Sequence, residues 1–472
     1  MRTPSLFLLM AWASFIISAV PAESSTNLSF SPKADYATGV SPIYVATGDF
    51  NGDGFADFVT VDNASDSLSV FLGRGDGTFR PRTAYPVGSS PWSVAVADLD
   101  GDGILDLAAA NGNTAAVSVL HGIGDGTFEP RVDIPIGFGA TSVAVGDMNS
   151  DGMADLALVT RTGVAVLLGI GDGAFGPLAL FPSDVYAVSV ILADLDGGSV
   201  LDAVTADYGS IHHHASESVY LGAGGGALQP RVSYSLGLWP IGIVSGDFDH
   251  DGHADLAASS EGSGVITISL NNGDGTFRTA SRKVGTDAGI LAEGDLDLDG
   301  VLDLVMPGRG DSSAVFALLG NGDGTFAEAQ TFPTGFAPYA AAVADLNGDH
   351  RPDIVTANVG ANTASVLLNA TPVVSSWPVA HGLDLSFGYP NPTRAGMTIP
   401  FSTPIEAKVE LSIYDVSGRF VRTLLDGLMP AGAHSVNWDL RTENGSGAPA
   451  GVYFSRLRVW KSLVERQITV IR

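Results

Sequence analysis

The stretch Asp247-Phe248-Asp249-His250-Asp251-Gly252-His253-Ala254-Asp255 carries carboxylates at positions 1, 3, 5 and 9 and a glycine at position 6. A backbone that turns sharply at Gly252 can aim Asp247, Asp249, Asp251 and Asp255 at one centre. His253, at position 7, would add its backbone carbonyl and not its ring. An all-oxygen donor set on a short loop suits a hard cation, and calcium better than magnesium or zinc. Asp and Gly are also ordinary turn residues, so a single copy of the pattern admits a plain turn as well.

The pattern recurs. The same register begins at Asp49, Asp98, Asp147, Asp194, Asp247, Asp295 and Asp345, at intervals of 49, 49, 47, 53, 48 and 50 residues. A near-constant period marks an internal repeat, which chance turns do not produce. We number these copies loops 1 to 7. The candidate calcium ligands are Asp49, Asn51, Asp53, Phe55 and Asp57 in loop 1, and Asp98, Asp100, Asp102, Ile104 and Asp106 in loop 2. Loop 3 offers Asp147, Asn149, Asp151, Met153 and Asp155. Loop 5 offers the five residues Asp247, Asp249, Asp251, His253 and Asp255, and loop 6 Asp295, Asp297, Asp299, Val301 and Asp303. Loop 7 offers Asp345, Asn347, Asp349, Arg351 and Asp353. Position 7 serves through its carbonyl throughout, and the asparagines at position 3 still supply an oxygen. Loop 4 retains Asp194, Asp196 and Asp202 but has Gly198 at position 5, which predicts weak or absent binding there. Loop 7 has His350 at the glycine position, which strains the turn without removing a ligand. The expected cofactor is therefore Ca²⁺ at about six sites.

The totals agree. The chain has 472 residues, with 51 Asp+Glu against 23 Lys+Arg, a formal charge of −28 and 45 % apolar content. Such a chain folds, and is not an acidic disordered one. Seven divalent ions would halve its net charge, and without metal each loop crowds like charges together. No basic stripe exists to neutralise phosphates, so nucleic acid is not an expected partner. The absence of cysteine excludes disulfides, thiolate metal sites and a cysteine nucleophile, and leaves calcium as the expected staple of an exported chain.

Short strands must position these loops. In the unit Phe79–Gly124, Thr83–Val87, Ser93–Ala97, Leu107–Ala110 and Val117–Leu120 read as four strands, with Asp98–Asp106 between the second and third. Each unit then meets a glycine-rich hairpin turn: Gly75–Phe79, Gly124–Phe128, Gly273–Phe277 and Gly322–Phe326, with variants at Gly171–Phe175 and Gly224–Leu228. The turn aromatics are expected to pack between units. Four strands per unit, repeated seven times, predict an all-β fold: a seven-bladed β-propeller over residues 23–370.

The core of Asp98–Leu107, D-x-D-G-D-G-x-x-D-L before a short apolar strand, resembles the FG-GAP/VCBS repeat of integrin α-like propellers. The resemblance covers about Phe30–Asn369. It implies that each acidic loop joins the first and second strands of a blade, holds Ca²⁺ on one face, and leaves the opposite face for ligands. If the strand before each loop is innermost, Phe30–Thr38 should complete the last blade and close the ring.

Outside the repeat, Met1–Ala22 reads as a secretory signal, with Arg2, an apolar core at Leu6–Val20 and a small-residue cleavage pattern. The alternative, a membrane anchor, is disfavoured by the short apolar run. Residues 371–384 read as a linker. Residues 385–472 alternate apolar and polar residues at Lys408–Tyr414, Val452–Val459 and Gln467–Ile471, a small Ig-like β-sandwich pattern. Tyr389–Pro392, Ile413–Arg419, Ala431–His434 and Ala450–Phe454 resemble the C-terminal sorting domain of type IX secretion, related to the FlgD Ig-like domain. That resemblance implies export across a bacterial outer membrane and secretion machinery as a partner, against the alternative of an ordinary stalk domain. No membrane span is expected after signal cleavage, and the protein is expected to be monomeric.

Few other residues point to chemistry. His212–His214 could form a transition-metal site, with Glu217 the acidic neighbour, but adjacent histidines do not readily face one ion. Tyr44, Trp92, Tyr186, Trp239 and Tyr339 recur just before the innermost strands. They would ring the channel mouth away from the calcium loops, where aromatics either stack on a ligand or pack between blades. Arg309-Gly310-Asp311 and Arg74-Gly75-Asp76 are R-G-D tripeptides, which chance explains in a chain this rich in Gly and Asp. No nucleophile–base pair stands out. The reading is a calcium-stabilised adhesion or recognition module for a glycan or protein outside the cell. The alternatives are a polysaccharide hydrolase or lyase with its site in the channel, and a passive surface-layer spacer.

Overall fold

The computed structural model describes residues 27–183, 186–208, 215–236, 239–371, 384–385, 393, 396–403, 407–415, 419–430, 432–443, 445–459 and 462–470. The expected signal segment Met1–Ala22, His212–His214, Tyr389–Pro392 and most of the expected linker lie outside them.

Seven four-stranded antiparallel sheets form the blades. Blade 1 is built from Pro42–Gly48, Asp57–Asp62, Ser67–Phe71 and Thr83–Pro86, in that spatial order. The first strands of the following blades are Pro91–Ala97, Ala140–Gly146, Ala187–Ala193, Pro240–Gly246, Ala292–Gly294 and Pro338–Ala344. Each touches the first strand of both neighbours, and the seventh touches the first, so these strands form the inner ring. The second strands explain the small apolar runs. Asp57–Asp62 and Asp106–Asn111 are buried at every residue, because both faces of the sheet meet another blade. A strand covered on two sides cannot alternate polar and apolar residues. Fourth strands, at the rim, mostly show one half-buried residue in four, such as Tyr85, Ile134 or Tyr234. The propeller core is accordingly divided into seven apolar clusters, one at each blade interface.

The ring closes as the sequence suggests. Ala34–Ala37 pairs antiparallel with Thr363–Val366 as the fourth strand of blade 7, and Phe30 bridges Asn369. Its half-buried residue, Tyr36, meets Phe58, Phe71 and Phe79 edge-on at centroid distances of 6.3, 6.2 and 5.4 Å. The closure extends beyond the expected boundary: Thr371 is buried and its hydroxyl accepts the Ser29 N–H at 2.9 Å.

In the tail, Asp384–Leu385, Met397–Thr403 and Gly432–Trp438 form a three-stranded sheet. Phe420–Met429, Ala407–Asp415, Gly451–Val459 and Ser462–Val470 form a four-stranded one. Ile399, Phe401, Val409, Leu411, Trp438 and Leu457 share one buried cluster between them. Asp384, taken as the end of the linker, already pairs with Ser402.

Replacing Tyr36 by alanine should open the seam. The expected loss is about 2 kcal/mol, below that for a fully buried aromatic because Tyr36 is half-buried, read as a lowered midpoint in chemical denaturation. An unchanged midpoint would show that the N-terminal strand does not lock the ring.

Candidate functional site

The acidic loops share one backbone design. Position 1 accepts amides from the far side of its own turn: in loop 5, Asp247 Oδ1 accepts Asp251 N–H and Oδ2 accepts Gly252 N–H, both at 3.1 Å. Outside loop 4, where Gly198 has no side chain, position 5 accepts the position-7 amide, as Asp251 does from His253 at 2.9 Å. Two residues per loop take positive φ. Position 6 does so at Gly54, Gly103, Gly152, Gly252 and Gly300 (φ 85–88°), but also at Ser199 and His350 (φ 60° and 66°). His350 was the expected strained position; Ser199 shares it. Position 4 is left-handed as well, at Ser150, His250 and Leu298 among others. A side chain there is disfavoured by contact with the following carbonyl.

Position 9 does more than offer a ligand. The carboxylate is buried in all seven loops. In loop 1, Asp57 Oδ2 accepts the Phe50 N–H at 2.9 Å and Oδ1 accepts the Gly73 N–H at 2.7 Å. The pair recurs at Asp106 (Leu99, Gly122), Asp155 (Met148, Gly169), Asp202 (Leu195, Gly222), Asp255 (Phe248, Asn271), Asp303 (Leu296, Gly320) and Asp353 (Leu346, Asn369). One side chain thus ties the start of the acidic loop to the start of the glycine-rich turn. Each oxygen keeps a second lone pair, so the clamp leaves room for a cation.

The turns carry this coupling to the preceding blade. Phe128 packs on Phe50 at 5.6 Å and Phe326 on Phe248 at 5.8 Å, each aromatic meeting position 2 of the preceding blade's loop. The second turn glycine lies against a residue of that blade: a Cβ on Gly126 would sit 2.5 Å from Leu72, and one on Gly324 2.6 Å from Leu270. His121 occupies the equivalent place in blade 2, 3.3 Å from Asp106 Oδ2 and 3.6 Å from Asp100 Oδ2. Sequence reasoning passed over it, although the leucines at the matching places in the other blades made it visible.

The residues fit a hard cation. Ligand oxygens of Asp98, Asp100 and Asp102, of Asp247, Asp249 and Asp251, and of Asp295, Asp297 and Asp299 lie within 4.8 Å of one another. Loop 4 still gathers Asp194, Asp196 and Asp202 in the same way despite Gly198. Asp194 Oδ1 and Asp249 Oδ1 are buried without a hydrogen-bond partner among the described residues. Burial pushes Asp303 up to about 8, Asp295 and Asp353 to about 7, and Asp57, Asp255 and Asp299 to about 6, with neighbouring aspartates adding to the rise. A bound Ca²⁺ would supply the positive charge that lets these carboxylates ionise together.

At the opposite end of the inner strands is a pocket of about 330 Å³. Tyr44, Trp92, Tyr186 and Tyr339 line it, with Tyr208, Glu261 and Arg309. Trp239 is not in the lining; it stacks on Tyr208 at 6.2 Å and 15°. The five aromatics do not occupy equivalent places. Tyr44, Trp92 and Tyr339 lie within the inner strands, which begin earlier than expected, at Pro42, Pro91 and Pro338, with a register shift just after. Tyr186 and Trp239 precede theirs. Tyr44 and Tyr339 join the core of the blade 1–2 interface, whereas Trp92, Tyr186 and Trp239 are 38, 41 and 47 % exposed. Arg309 stacks on Tyr339 at 4.2 Å and lies 2.7 Å from Glu261 Oε1, while Glu261 Oε2 accepts the Tyr208 hydroxyl at 3.1 Å. The guanidinium of this R-G-D is therefore engaged in the pocket wall. That of Arg74 donates to the Phe79 carbonyl inside its own turn. Glu217, the acidic neighbour of the three histidines, is fully buried in the third strand of blade 4.

Repeated acidic loops on a closed seven-bladed ring define a propeller built around acidic loops whose residues fit a hard cation. The chain belongs to the FG-GAP-like repeat family, whose profile matches residues 49–109, 98–158, 147–205, 247–306 and 295–356. The FlgD Ig-like domain profile matches residues 393–461. Among curated protein sequences nothing matches the chain. The structure of BBS1N in complex with ARL6DN is similar over 74 % of this chain and 98 % of that one, at 11 % identity and a TM-score of 0.54. Raptor of Chaetomium thermophilum is similar over 73 % of this chain and 29 % of its own, at 11 % identity and a TM-score of 0.50. An Agrocybe aegerita lectin recognising non-reducing terminal N-acetylglucosamine aligns over 69 % of this chain and 94 % of its own, at 24 % identity and a TM-score of 0.47. Such identities speak to fold alone, and the lectin alignment carries no further argument.

Two predictions follow from the clamp. Asp303→Asn should destabilise the propeller by about 2–3 kcal/mol with or without calcium, because one backbone N–H loses its acceptor in a buried place. Denaturant midpoints in calcium and in EDTA measure this, and a loss confined to calcium would mean that Asp303 acts only as a ligand. For pH, the folded pKa values lie above the unfolded value near 3.8, so the metal-free fold binds more protons than the unfolded chain. Its stability should rise as pH falls from about 8.5 to 5. Calcium needs the carboxylates ionised, so its binding near pH 7 should release protons, seen as a buffer-dependent heat in calorimetry. No proton release would contradict the pKa assignments.

Proposed function

We propose that the protein is a calcium-stabilised recognition module acting outside a bacterial cell, with a glycan or protein ligand held in the channel-mouth pocket. The observation that carries this is the pocket itself: residues from all seven blades bring aromatic rings, hydroxyls and one ion pair into a single concavity. Aromatic walls with a few placed polar groups are the usual composition of a ligand site. The calcium loops lie at the other end of the inner strands, roughly seven residues or ~20 Å away. Calcium is therefore structural, fixing the hairpins whose far ends carry the pocket residues. The FlgD Ig-like tail supports export through the type IX route, and secretion or attachment at the outer surface. No helix among the described residues is long and apolar enough to cross a membrane.

The test is a glycan-array measurement on the purified full chain, in calcium and again in EDTA, with the Trp92→Ala variant alongside. Selective signal that disappears in EDTA and falls at least about tenfold in affinity, ~1.4 kcal/mol, in the variant is the expected result. No signal, or one indifferent to both changes, would remove glycan recognition by this pocket.

A further inference from the structure

The pocket's polar atoms narrow the ligand, and the narrowing rests on the recognition reading above. Two buried polar atoms in its lining, Thr141 Oγ1 and Arg309 Nη1, have no hydrogen-bond partner among the described residues. Arg309 Nη1 is within ion-pair distance of Glu261 Oε1, but not in hydrogen-bond geometry with it. A buried donor left unmatched has given up its hydrogen bond to water, which a ligand oxygen would replace. Ser93 and Ser142 add to this wall. Each hydroxyl oxygen already accepts a backbone N–H of the next blade, from Val143 at 3.0 Å and Val190 at 3.1 Å. Their own hydrogens remain to be donated. The wall thus offers donors to a ligand rich in oxygen.

Charge then separates the candidates. Among the described residues Arg309 is the one cationic side chain in the lining, and Glu261 beside it cancels its charge. A ligand carboxylate or sulfate approaching Arg309 would meet Glu261 at the same guanidinium, on a protein of net charge −28. A ligand cation at Glu261 would be repelled by Arg309, whose guanidinium already neutralises that carboxylate. An uncharged polyol suffers neither repulsion. Adjacent hydroxyls can place one oxygen on the guanidinium and one hydrogen on the carboxylate, while a sugar's C–H face lies on Trp92 or Tyr186. We propose that the pocket binds an uncharged glycan, gripped through neighbouring hydroxyls by the Arg309–Glu261 pair.

The experiment uses the full chain in calcium on an array carrying neutral, uronic, sulfated and amino glycans. The strongest neutral binder is then titrated between about 50 and 500 mM salt, a range over which exposed charge–charge attraction is largely screened out. The expected result is binding confined to neutral glycans, changing less than about twofold across that range and falling about tenfold or more, ~1.4 kcal/mol, in both Arg309→Ala and Trp92→Ala. Trp92 is partly exposed, so its variant reports on the pocket even if the loss of Arg309 disturbs the wall. Calcium-dependent binding confined to acidic or amino glycans, or a steep salt dependence, would overturn the neutral-ligand assignment while leaving glycan recognition standing. Neutral binding indifferent to both variants would place the site elsewhere and overturn it too. Silence across all classes would overturn the recognition reading along with it.

Discussion

Seven buried aspartates, one at the start of each second strand, accept two backbone N–H groups apiece, and the blades take their shape from that arrangement. A hydrogen bond to a charged group contributes about 1.5–3 kcal/mol, and an amide left unmatched in the same place costs a similar amount. The carboxylate spans the acidic loop and the glycine-rich turn, which are otherwise separate hairpins. Because the turn aromatic packs on the loop of the preceding blade, the local clamp also sets the spacing between blades. Loop geometry and blade packing therefore meet at one side chain.

Much of this was legible in the sequence. The period, the loop register and the strand order followed from Asp and Gly placement, because each repeat must solve the same turn problem with the same residues. The closing strand was legible too, since Tyr36 stands where Tyr85 and Ile134 stand in their own blades. The clamp was not. A carboxylate that accepts amides and one that binds a cation have the same sequence signature. Position 4 was silent for another reason: Gly52, Ser150, His250 and Leu298 all adopt the left-handed conformation there, so no residue type marks it.

The pocket was half legible. Aromatics near the start of several inner strands were visible as a recurrence, and four of five line one cavity. Tyr208, Glu261 and Arg309 were not visible as a group, because the place they share, the sixth residue after the clamping aspartate in blades 4, 5 and 6, holds a different residue type in each. The R-G-D containing Arg309 drew attention for its resemblance to a peptide signal, whereas its partners, Tyr339 and Glu261, are what the structure supplies.

The seam of blade 7 also sets a timetable. The strand Ala34–Ala37 has no place to pair until Thr363–Val366 exists, so the first rim strand made waits for nearly the whole propeller to be synthesised. Contacts this distant along the chain slow folding, because the loop must close before they contribute. A chain emerging N-terminus first, from a ribosome or through a pore, would carry six complete blades and an unpaired edge until the last hairpin appeared. Tyr36 and the aromatics it covers would be exposed for that interval, which makes the ring's first strand the segment most in need of a chaperone.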